Sequence, residues 1–63
     1  MDTIVRFYWI CWDGRDGIDG EEVRRTLPDA LKVYHALGDV PYKKLVACYN
    51  DHDETLYTAK APF

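Results

Sequence analysis

The stretch from Thr3 to Trp12, TIVRFYWICW, carries more apolar surface than one core can absorb. Alternation along a strand sends Val5, Phe7, Trp9 and Cys11 to one face of a sheet and Ile4, Tyr8, Ile10 and Trp12 to the other, with Arg6 the one interruption. Both faces therefore call for cover. A chain of 63 residues forms one domain that buries only about 60% of its unfolded surface. One face is thus expected to meet a second copy or a different molecule.

The remainder of the chain supplies the partners of that strand. Asp13 to Gly20, DGRDGIDG, packs three glycines and three aspartates into eight positions and reads as a chain reversal. Glu21 to Thr26, EEVRRT, with Val23 its strongest apolar residue, reads as a short charged edge strand or equally as the lead-in to a helix. Thr26 is a candidate N-cap, Asp29 follows three residues later, and Pro28 suits a first helical turn, where amides lack partners. A helix is expected from about Leu27. Leu27, Ala30, Leu31, Tyr34 and Leu37 form its apolar stripe with Val33 alongside, while Asp29, Lys32 and His35 point away. Gly38 ends it. Tyr42 to Tyr49, YKKLVACY, reads as a strand, Asn50 to Asp53 as a polar turn, and Thr55 to Ala59 as the closing strand.

The expected fold is α+β: a small antiparallel sheet in the order β-β-α-β-β, with one helix packed on one face. The reversal from Asp13 to Glu22 and the turn from Asn50 to Glu54 then lie at opposite ends of the sheet, so their acids form no common patch. The hairpin, the T-L-x-x-A-L helix start at Thr26 to Leu31 and the second hairpin resemble many short uncharacterised proteins of bacteria, phages and mobile elements. Some small phage-borne proteins of this size, anti-CRISPR inhibitors among them, act by stoichiometric binding to a larger host machine. That resemblance implies inhibition by binding and assigns no residue a role.

Catalysis finds little to work with. The chain has no serine and no glycine-rich loop followed by lysine. Its histidines and cysteines, His35, His52, Cys11 and Cys48, include no short ligand pair for zinc. The cysteines read as reduced, buried thiols. Asp13, Asp16, Asp19, Glu21 and Glu22 crowd within ten residues, but their spacing departs from an EF-hand loop and Arg15 sits among them. They are candidates for an acidic contact that imitates nucleic-acid phosphates. The aromatic strand suggests base stacking on exposed rings, yet a net charge of -3 has the wrong sign for a phosphate-binding protein. The apolar run at the start contains Arg6 and lacks a basic leader and a cleavage site. It is read as neither signal peptide nor membrane span, which makes the cytoplasm the expected location.

The chain thus reads as a non-enzymatic protein-interaction module without cofactor or metal. Tyr8, Ile10 and Trp12 are the expected partner-binding patch, and Phe7 and Trp9 take that role if the helix covers the other face. Homo-oligomerisation, as a dimer with two sheets stacked back to back or with edge strands joined into a larger sheet, is the alternative partner arrangement. Nucleic acid and membrane are not expected partners.

Overall fold

The computed structural model describes residues 3–60. Strands β1 (Phe7–Asp13) and β2 (Asp19–Arg24) precede helix α1 (Leu27–Ala36), and β3 (Tyr42–Cys48) and β4 (Asp53–Lys60) follow it. The strands form one antiparallel sheet ordered β2-β1-β3-β4, with the helix on one face. The α+β architecture anticipated from the pattern is therefore present.

Local chemistry explains the boundaries. Gly17 adopts φ 82° and its N–H donates to Gly14 O at 3.1 Å, while the Gly14 N–H donates to Ile18 O at 3.0 Å. That is a three-residue hairpin loop whose last position needs a left-handed residue. Gly20 lies inside β2 because a side chain there would collide with Trp12: an added Cβ would sit 2.3 Å from Cζ2 of the indole. β2 accordingly starts at Asp19, two residues earlier than the charge pattern suggests. Thr26 caps α1, its Oγ1 accepting from the Asp29 N–H at 3.4 Å, and Gly38 at φ 63° follows the helix. β1 begins at Phe7 rather than Thr3; before it, the Arg6 N–H donates to Cys48 O at 2.9 Å.

The core lies between the helix and the even-numbered side of β1. Ile10 and Leu45 oppose each other across β1 and β3; both are fully buried, as is Ala30, and Tyr34 is nearly so. Tyr8, Trp12, Leu27, Leu31, Val33, Leu37 and Leu56 pack around them. A bulge opposite Leu45 and Val46 gives β4 one extra residue, Leu56, and brings the Tyr57 ring to 6.0 Å from that of Tyr34. Lys43 reaches up from the same side of β3, donating to Tyr34 O at 2.9 Å with its ammonium 4.4 Å from the Tyr34 ring centroid. A cation near a helix C-terminus is favourable in the field of the helix dipole.

The expected binding patch of Tyr8, Ile10 and Trp12 is thereby corrected: these residues belong to the helix-covered face. Chain handedness supplies the reason. β2 and β3 run parallel on either side of β1, so the chain through α1 is a crossover, and such crossovers are right-handed. The Gly14 to Ile18 bond marks the even-numbered residues of β1 as those paired by hydrogen bonds with β2. For L-residues with that pairing, a right-handed crossover places the helix over the even side chains. Apolar content alone left the two faces balanced.

Candidate functional site: the open face of the sheet

The face opposite the helix has no covering element among the described residues. Register places its side chains in rows. Phe7 lies beside Cys48 and Asp53, and Val23, Trp9, Val46 and Thr55 form the next row. Glu21, Cys11, Lys44 and Thr58 come third, and Asp19, Asp13, Tyr42 and Lys60 fourth. One end is therefore mainly apolar, with Asp53 at its β4 edge, and the other charged. Within the charged end, acids occupy β2 and β1, and lysines occupy β3 and β4.

Val46 and Cys48 are only 4% and 8% exposed on this uncovered face. Their shielding comes from the sheet itself, where the rings of Trp9 and Phe7 are their neighbours in register. Val23 remains half exposed at the β2 edge. Trp9 is fixed rather than loose. Its Nε1–H donates to Glu21 Oε2 at 2.9 Å, and the Lys44 ammonium stands 5.2 Å from the ring centroid. The Arg6 guanidinium stands similarly over Phe7, at 5.4 Å. A broad depression of about 510 Å³ runs from Trp9 and Cys11 to Tyr42 and Lys44, bordered by Asp13, Asp19 and Glu21, and reaches Trp12 and Gly20 at the end of the sheet.

The five acids expected as one contact are divided. Asp13, Asp19 and Glu21 share the open face. Asp16 closes the hairpin loop, its Oδ1 accepting from the Ile18 N–H at 3.1 Å. Glu22 lies on the helix side of β2 and pairs with Arg24 at 2.9 Å. The Asp13–Glu22 reversal and the Asn50–Glu54 turn do lie at opposite ends of the sheet, as the strand order required.

Cys11 and Cys48 are free thiols on the open face of adjacent strands. Cys11 opposes Lys44, four residues along β3 from Cys48, which separates the two by about 13 Å, beyond disulfide reach. Burial pushes both thiols up, and Asp53 beside Cys48 adds to its shift. Neither is poised as a nucleophile. His35 lies exposed on α1 and His52 in the β3–β4 turn, stacked on Tyr49 at 4.3 Å and paired with Asp51. Among the described residues no three His, Cys, Asp or Glu side chains converge as a metal site, and no helix is long and apolar enough to cross a membrane.

Sequence reasoning assigned no face to Val46, Lys44 and Tyr42. Their alternation with Leu45 and Lys43 in YKKLVACY was the available signal, usable only once the face of β1 was known. Comparison with protein-family models, with curated proteins and with solved structures finds no match to this chain.

Proposed function

We propose that this protein is a non-enzymatic interaction module that acts by stoichiometric binding through its open sheet face. The observation that carries the reading is the fixed Trp9 at the centre of an uncovered face, flanked by Phe7, Val46 and Cys11 and bordered by charge. Large, restrained rings in an apolar patch with a polar rim are the usual chemistry of protein-binding hot spots. A partly buried ring already held by its neighbours loses little conformational freedom on binding.

Base stacking fits the face less well. The Trp9 ring has Lys44 over it and Glu21 at its edge, and Asp13 and Asp19 lie on the same face, where phosphates would be repelled. The test compares wild type with Trp9→Ala as tagged bait in cell extract, with both proteins first shown to be folded by circular dichroism. A stoichiometric protein complex, or self-association, that is lost in the variant is the expected result. Equal binding by the folded variant contradicts the reading.

A further inference from the structure

We propose that the partner this face fits is a second copy of the chain, in a two-fold dimer with the two sheets packed open face to open face. The proposal rests on the interaction reading above and names the occupant of that same face.

The charge layout carries the argument. Asp13 and Asp19 oppose each other directly across β1 and β2, and neither has an ion-pair partner among the described residues. Like charges in directly opposed positions destabilise a sheet. Lys60 lies at the same height on the far edge, beyond Tyr42, also without an ion-pair partner among the described residues. A single protomer holds these charges apart across the width of the sheet. A two-fold axis between β1 and β3, parallel to the strands, brings them together: it lays β2 of one copy over β4 of the other and β1 over β3.

Height along the strands is preserved by that axis, so each row meets itself reversed. Asp19 then faces the partner's Lys60, Asp13 faces the partner's Tyr42, and Trp9 covers the partner's Val46. Phe7 covers the partner's Cys48. An in-plane axis across the strands would instead set Val46 over a lysine and Phe7 over an aspartate, with the apolar end of each copy on the charged end of the other. Sheets stacked face to face lie about 10 Å apart, a gap a lysine side chain spans from one side. The result is a four-layer α/β/β/α sandwich in which both faces of β1 are covered.

Size sets the strength. Four strands at about 4.8 Å and about seven residues at about 3.3 Å give a projected face on the order of 440 Å² per copy. That places the contact at the small end of specific interfaces, so the dimer should dissociate on dilution in the micromolar range.

The experiment is sedimentation equilibrium over a concentration series on wild type, Asp19→Lys, Lys60→Asp and an equimolar mixture of the two variants, with circular dichroism to verify folding. Wild type should reach twice the monomer mass of 7.4 kDa, and added salt should weaken it. Each variant alone places like charges opposite each other and should raise the dissociation constant about tenfold. The mixture should recover the dimer, as a heterodimer in native mass spectrometry, because the two reversed charges face each other. Failure of the mixture to recover, or variants that dimerise like wild type, overturns the pairing. A wild-type monomer at hundreds of micromolar overturns self-association. If such a monomer still captures another protein through Trp9, the broader interaction reading stands; if it captures none, both fall.

Discussion

Trp9 and Trp12 lie three residues apart on one strand, both half-buried, and belong to opposite faces of the sheet. Trp12 lies on the helix side over Gly20, at a point where β2 offers no side chain, and packs against the cluster of Ile10, Leu45, Ala30 and Tyr34. Trp9 lies on the bare side, held by one carboxylate and one ammonium. Packing against the helix-side core, though only partly buried, makes the first a contributor to folding. Polar restraint without a cover leaves the second on the open side, where the proposed partner would meet it. Composition cannot separate two such rings; topology does.

The sharpest way to break this contrast is to remove the centre of the covered face. Ile10→Ala or Leu45→Ala deletes a fully buried side chain and should cost about 2–5 kcal/mol, enough to unfold a domain this small, as urea denaturation would show. Gly20→Val attacks the Trp12 side from beneath. A Cβ there meets the indole at 2.3 Å, so the ring must leave its place or β2 must shift, at about 1–3 kcal/mol, read as a lower midpoint and altered tryptophan fluorescence. Thr26→Ala removes the cap on Asp29 and should cost about 1 kcal/mol without disturbing the open face. Loss of association in that variant would mean that the helix, not the sheet, makes the contact.

The smallest effect is the pH dependence. Burial raises the proton affinity of the Tyr34 hydroxyl and of both thiols in the folded chain. The unfolded chain therefore releases these protons first as pH rises. Their contribution to stability is complete below about pH 8.5, the ordinary cysteine value, and declines above it. Denaturation midpoints that fall through the alkaline range satisfy this expectation; a midpoint that rises there does not.

Much of the fold was legible because local signals agreed. Thr26 and Gly38 bracket the helix, DGRDGIDG contains the hairpin loop, and the helical stripe from Leu27 to Leu37 names the residues that pack on the sheet. Gly20 was misread as part of the loop because its role is to make room for a ring eight positions earlier, a tertiary requirement with no local mark. The site was legible only as an excess of apolar surface on the first strand. Which half of that surface stays open depends on which β1 residues bond to β2 and on the hand of the crossover, and neither is visible in hydrophobic periodicity.

Denaturant unfolding of Trp12→Ala beside Trp9→Ala, at protein concentrations low enough to exclude association, tests the division of the sheet most directly. The account predicts that Trp12→Ala loses about 2 kcal/mol or more, at the low end of large-to-small core substitutions because the ring is only partly buried, while Trp9→Ala unfolds cooperatively with most of its stability retained. The opposite order would place the core on the Phe7, Trp9 and Val46 side and contradict the assignment of the open face.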